Sequence, residues 1–206
     1  MSFYDRYVLP PLLRTACSAR PIMRQRKKIV PLAEGRVLEI GAGGGLNFSF
    51  YDQGRVSEVI GLDISEPLLR HATSCAHEHG LPFQPLLMDA ANIPLDTGEV
   101  DCVVMTYTLC SIDAMLPALA EMRRVLKPGG RMMFCEHGAA PDEKVRRFQT
   151  RLNPLWKRLA GGCNLDRDIP AAITEGGFAI EVLEKMYLPS TPRFGGYNYW
   201  GWAVGR

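Results

Sequence analysis

At 206 residues, 47% hydrophobic and 22% charged, the chain has the length of one ordinary domain and a composition that excludes disorder. A net charge of +2 gives no ground for a nucleic-acid partner, and none is expected. No apolar run reaches the ~18 residues of a membrane span, and the opening MSFYDRYVLPPLLR has an acid and two prolines where a signal peptide has an apolar core, so a cytoplasmic protein is expected.

Residues 1–34 are irregular, punctuated by proline, and end in the basic run RQRKK at 24–28. From Arg36 onward short apolar runs alternate with helical patterns. The runs at 36–40, 57–63, 82–89, 101–107 and 130–137 predict buried strands, and the stretches 45–53, 65–79 and 113–126 predict helices. Ser65 followed by Pro67 predicts a helix start with the hydroxyl as N-cap. The KPGG turn at 127–130 stops the third helix. Alternation of this kind predicts an α/β fold, a Rossmann-like parallel sheet with helices on both faces. After a polar-apolar insertion at 141–175, two further strands at 178–188 and 197–205 suit an antiparallel pair at one edge. The whole of 1–206 reads as a single domain.

Six cysteines are scattered with no C-x-x-C pair, which suits a reduced compartment. Cys102 and Cys135 lie inside strand runs as core residues. His71, Cys75, His77 and His79 would fan around a helix instead of converging, so no metal is expected.

The stretch LEIGAGGGLNF places Gly41, Gly43, Gly44 and Gly45 directly after the first strand, with Ala42 among them. Glycine there admits a positive-φ turn and close approach of a ligand to the backbone. A dinucleotide fingerprint wants a glycine where Leu46 stands. Glu39, aimed at the turn, disfavours a pyrophosphate and suits an ammonium group. Asp63 ends the second strand, where a carboxylate accepts both ribose hydroxyls. Asp89 ends the third, placed for an adenine amino group, with the Ala90 N–H beside it. Ammonium, ribose and adenine together describe S-adenosylmethionine. A nicotinamide oxidoreductase is the weaker reading, and a non-catalytic binding module stays open.

VLEIGAGGG, VIGLDIS, LLMDAANIPL, VDCVVMTYTLCSI and VLKPGGRMMFCEH together resemble, in order, the motifs of class I S-adenosylmethionine-dependent methyltransferases over about residues 36–137. The resemblance implies a seven-stranded sheet of order 3-2-1-4-5-7-6 with strand 7 antiparallel. It implies that Glu39, Gly41, Ala42 and Gly43 lie near the methionine end of the cofactor, with Asp63 on the ribose and Ile64 against the adenine. Asp89 and Ala90 would stand at the adenine edge, and Thr106 beside the sulfonium. Residues 1–34 would act as a lid, with Tyr4 and Tyr7 over the methionine carboxylate or simply packed.

Residues after the fourth and fifth strands face the acceptor side: Tyr107, Leu109, Cys110, Glu136 and His137. His137 is the best base in the chain, or else a polar residue satisfying a loop. Cys110 is reactive or a buried inert thiol, and Glu136 orients His137 or faces solvent. The segments TLCS, CEHGAA, LNPLWKRLAGGCNLDRDI and NYWGWAVGR are similar to a branch that methylates alkyl thiols. In the insertion, Trp156, Cys163, Asn164 and Arg167 would line the acceptor, although Trp156 and Leu159 also suit core positions and Arg167 with Asp168 a surface ion pair. The acceptor is expected to be a small molecule: a thiol, an amine or a lipid head group. RQRKK and VRRFQTR read as solvated faces or as peripheral contact with an anionic membrane. Oligomeric state is not legible.

Overall fold

The computed structural model of the protein describes residues 15–206, so Tyr4 and Tyr7 lie outside the described residues. Its elements in chain order are α1 (Arg20–Ile29), β1 (Gly35–Ile40), β2 (Val56–Asp63), α2 (Glu66–His79), β3 (Phe83–Leu87), β4 (Val100–Thr106), α3 (Met115–Val125), β5 (Leu126–His137), α4 (Glu143–Leu159), α5 (Ile169–Glu175), β6 (Phe178–Tyr187), α6 (Arg193–Gly196) and β7 (Tyr197–Gly205). The sheet order is β3-β2-β1-β4-β5-β7-β6, as the resemblance implies. β7 runs antiparallel to both of its neighbours, and the pairs among β1 to β5 are parallel. In β5, Leu126 pairs with Val100 and Arg131 with Cys102, so the KPGG residues loop out between two registers.

Strand alternation sorts the core into two layers. Leu38, Ile40, Val103, Met105, Met132 and Phe134 face α3 and α5, meeting Leu119, Met122, Ile169 and Ile173. Val37, Val59, Cys102, Val104, Met133 and Cys135 face the other way, against Ile29 of α1 and Ala72 and Ala76 of α2. A sheet covered on both sides is why the parallel strands read as continuous apolar runs. Each wholly buried leucine or isoleucine contributes roughly 1.5–3 kcal/mol. Burial pushes the thiols of Cys102 and Cys135 up to about 12, as suits inert core sulfur.

Two local expectations are corrected. Residues 45–53 form turns and a single 3-10 turn, Phe48–Phe50, instead of a helix. Gly45 is in the left-handed region at φ +81°, and the Asn47 amide turns inward to Glu39. Ser65 does cap α2 by position, but its hydroxyl makes no cap bond; its backbone N–H donates to Asp63 instead. The insertion at 141–175 becomes α4, a loop and α5. Among the described residues, no helix is long and apolar enough to cross a membrane.

Candidate active site

Five loops leave the C-terminal ends of β1 to β5, the edge at which open α/β sheets form their ligand crevice. The first is the glycine turn. Gly41 (φ +67°) and Ala42 both donate backbone N–H groups to the Leu62 carbonyl, at 2.8 and 3.0 Å. A Cβ on Gly41 would fall 2.4 Å from the Thr108 side chain, so the turn packs directly on the β4 loop. A Cβ on Gly43 (φ +53°) would meet only the Gly41 carbonyl, at 3.9 Å, so the space beside this residue is open.

Asp63 faces this turn from β2. Its Oδ2 accepts from Gly43 N and its Oδ1 from Ser65 N, both at 2.8 Å. Burial pushes its carboxyl up, against the pull of these N–H donors. Ile64 beside it is 73% exposed, an unusual state for a large aliphatic side chain next to a crevice. Asp89 is exposed and accepts from Ala91 N at 2.8 Å, while Ala90 is buried.

Beneath the turn lies a buried polar network that sequence reasoning only partly found. Glu39, 1% exposed, accepts from Asn47 Nδ2 at 2.8 Å and from the Tyr51 hydroxyl at 2.7 Å. Asn47 Nδ2 also donates to Thr106 Oγ1 at 2.9 Å. Arg26 enters from α1, donating to Asn47 Oδ1 at 2.9 Å and to Thr106 Oγ1. The RQRKK run is therefore not one solvated face: Arg26 is 5% exposed, and its Nε is buried without a partner. The available signal was helical spacing, since Ile22, Arg26 and Ile29 fall on one face of α1.

Burial raises Glu39 to about 7, opposed by the Tyr51 and Asn47 donors and by Arg26. Between about pH 4.5 and 7 the native carboxyl thus holds a proton that the unfolded chain has released. Its contribution to stability is full below about pH 4.5 and is lost as pH rises to about 7. An ammonium group placed there favours the ionised form. Affinity for S-adenosylmethionine is accordingly expected to rise up to about tenfold per pH unit from pH 5 towards 7. Equilibrium dialysis across that range checks it, and a flat profile would place the ammonium elsewhere.

The end of β5 converges with two loops. His137 Nε2, at the end of β5, lies 3.0 Å from Cys163 Sγ, and the ligand atoms of Cys110, His137 and Cys163 all fall within 4.8 Å of one another. Burial pulls the His137 imidazole down, but Cys163 and Glu136 push it up and prevail. A hydrogen bond shared with Cys110, together with burial, raises the Cys163 thiol. The loops are stitched by backbone bonds: Asn164 donates both its N–H and its Nδ2 to the Cys110 carbonyl, each at 2.9 Å. Gln149, wholly buried and unforeseen, ties α4 to Ala140 N and to the carbonyls of Gly138, Leu165 and Phe194.

Several expected roles here are corrected. Glu136 neither faces solvent nor touches His137 by a hydrogen bond; its Oε1 accepts from Thr108 N and Leu109 N at 2.7 and 2.9 Å. It is wholly buried, on the sheet face opposite His137, and its Oε2 has no partner. Leu109 is wholly buried in the core, so its side chain lines no acceptor pocket. Arg167 donates to the carbonyls of Leu109 and Ile112, bracing the β4 loop, and Asp168 caps α5 through Ala171 N at 3.1 Å, so the two form no ion pair. Tyr107 has φ 55° and donates its hydroxyl to Asn198 Oδ1 at 2.6 Å, with the Arg26 guanidinium 5.1 Å from its ring centre. Trp156 packs edge-on against Phe194 at 5.9 Å with its Nε1 buried and unpartnered. Leu159, by contrast with a core reading, is 49% exposed. Cys75 and His79 stay on α2, with His79 Nδ1 2.8 Å from the Cys75 carbonyl.

A glycine turn after β1, the Asp63 carboxylate that ends β2 and this sheet order together define a class, and comparison agrees. A family model for the methyltransferase domain matches residues 38–134. The chain belongs to the class I S-adenosylmethionine-dependent methyltransferases. It is similar to the thiol S-methyltransferase TMT1A of Homo sapiens, 34% identical over 178 residues that cover 84% of this chain and 72% of that protein. It is 31% identical to the demethylmenaquinone methyltransferase of Thermus thermophilus, over 85% of this chain and 84% of that one. In fold it matches a SAM-dependent methyltransferase from Aquifex aeolicus with a TM-score of 0.65 at 17% identity, over 94% and 97% of the two chains.

Proposed function

We propose that the protein transfers the methyl group of S-adenosylmethionine to the sulfur of a small alkyl thiol. The observation that carries this reading is the Cys110–His137–Cys163 cluster, soft and nucleophile-handling chemistry at the ends of β4 and β5. The names of the thiol methyltransferase relatives support it.

The residues present fit the cofactor. Gly43 leaves the space a backbone-hugging ligand needs, and the Arg26 Nε is a buried donor that still wants an acceptor. Glu39 would hold the ammonium, Arg26 the carboxylate, Asp63 the ribose hydroxyls and Ile64 the adenine face, with Asp89 and Ala90 at its edge. Thr106 would stand near the sulfonium. When bound, the cofactor supplies a methyl on a sulfonium whose departing thioether needs no protonation. The protein's work is therefore to align the acceptor sulfur and exclude water. A thiol must also lose its proton to attack well, and the cluster stands where that proton has to leave. Turnover to S-adenosylhomocysteine is the test. A panel of alkyl thiols, amines and phospholipids should show activity confined to the thiols; activity on amines alone would sink this reading.

A second reading, a quinone precursor or phospholipid met at a membrane surface, is favoured by one observation. Phe148, Leu155 and Leu159 of α4 are about half exposed beside Arg147 and Arg151. Activity appearing only with anionic vesicles would favour it.

A further inference from the structure

We propose that Cys110, His137 and Cys163 form a three-ligand site for zinc, whose open fourth position takes the acceptor's sulfur. Among the described residues this is the group of three cysteine, histidine or acidic side chains whose ligand atoms converge. Two thiolates and an imidazole make a soft, borderline donor set that suits zinc over magnesium or calcium. Three protein ligands with one position free is also the arrangement of a reactive, as opposed to a structural, zinc site.

The three ligand atoms lie within 4.8 Å of one another, so shifts of about 1 Å or less bring them to tetrahedral spacing. Tetrahedral zinc with ordinary bond lengths sets sulfur and nitrogen ligands about 3.6 Å apart and two sulfurs about 3.8 Å apart. His137 Nε2 and Cys163 Sγ need open by only about half an ångström from their 3.0 Å contact. The ring presents Nε2 to Cys163 Sγ, which marks Nε2 as the ligand atom. The ligands also sit on loops whose positions are fixed independently of their side chains. Glu136 holds Thr108 and Leu109, Asn164 grips the Cys110 carbonyl twice, and Asn153 Oδ1 accepts from Leu165 N at 2.8 Å. Such outer supports preorganise a metal site.

The fourth position gives the cluster its chemistry, and this half of the inference rests on the thiol methyltransferase reading. An acceptor R–SH binds zinc through sulfur and releases its proton to solvent. The sulfur's lone pair then forms the new S–CH₃ bond, while the methyl–sulfonium bond breaks and its electron pair stays on the departing sulfur. The product R–S–CH₃ is a neutral thioether, a weaker ligand, and it leaves.

The test titrates the reduced chain, stripped with a chelator and kept in a phosphine reductant, with cobalt(II) and then zinc(II). One equivalent of cobalt is expected to give thiolate charge-transfer absorption and tetrahedral d–d bands, which zinc displaces. X-ray absorption of the zinc-loaded wild-type chain should show two sulfur ligands near 2.3 Å and one nitrogen near 2.0–2.1 Å, an outcome that needs no variant to fold. Cys110→Ser and Cys163→Ser should each weaken cobalt binding by at least about 100-fold. Adding an alkyl thiol without S-adenosylmethionine should shift the d–d bands. The metal site is overturned if cobalt gives no such bands, or if the bands survive both serine variants. Thiol methylation at full rate in excess chelator overturns the acceptor's coordination and leaves the methyltransferase reading standing. A cobalt site in a chain that methylates no thiol does the reverse.

Discussion

Asp63→Ala is expected to raise the dissociation constant for S-adenosylmethionine by about 100-fold or more, with the fold retained. Each of its oxygens accepts one backbone N–H, Oδ2 from Gly43 and Oδ1 from Ser65, and keeps a second lone pair with which to accept a ribose hydroxyl. A carboxylate accepting two hydroxyls makes two charge-assisted hydrogen bonds, each contributing about 1.5–3 kcal/mol. Losing both corresponds to at least about 3 kcal/mol, which is two factors of ten in affinity. Asp63→Asn should lose less, because one side-chain oxygen remains. The measurement is calorimetric titration of the cofactor alone, beside a circular dichroism melt. An unchanged dissociation constant in a folded Asp63→Ala chain would remove the ribose from this position.

His137→Ala is expected to lower turnover about 10²- to 10⁴-fold while cofactor affinity stays within about twofold. The geometry separates the two effects. His137 meets Cys163 and Cys110 on the acceptor side, whereas the Glu39 network that would take the methionine end lies under the turn after β1. Steady-state kinetics with saturating cofactor, together with a binding titration, checks both halves. A His137→Ala chain with full activity on its acceptor would strip the residue of any chemical role. His137→Cys discriminates further: a sulfur there still ligates zinc but does not replace an imidazole base, so partial rescue would favour ligation.

The sheet was legible because parallel strands covered on both faces must be continuously apolar, and each one ends in a residue of different character. VLEI, VIGLD and DCVVMT announce both their burial and their stopping points. The acids Glu39, Asp63 and Asp89 stand out for the same reason, as lone carboxylates in or just after the apolar runs of β1, β2 and β3. The stretch 45–53 misled because its apolar residues suit a helix by composition. What decides its shape is a side chain, Asn47, whose partner Glu39 lies on another element. Arg26 was hidden inside a basic run, where Arg24, Lys27 and Lys28 tell nothing of Gln25 and Arg26, the two that are buried. The cysteine–histidine cluster draws one residue from the end of β5 and one from each of two distant loops. No spacing rule reaches across such separations, and only the crossovers of the sheet bring them together. Arg167 and Glu136 were recognised as charged residues near the site, yet both serve backbone groups of the β4 loop, a use that local sequence does not encode.

Arg26 belongs to α1, but its hydrogen bonds are to Asn47 in the glycine turn and Thr106 at the end of β4. The α1 helix is thus tied by one side chain to both the glycine turn and the end of β4. Peeling α1 from the sheet strands a guanidinium and unfastens two walls of the crevice in one movement. A ligand that engages Arg26 should therefore hold α1 in place, and α1 should be harder for a protease to cut when S-adenosylmethionine is bound.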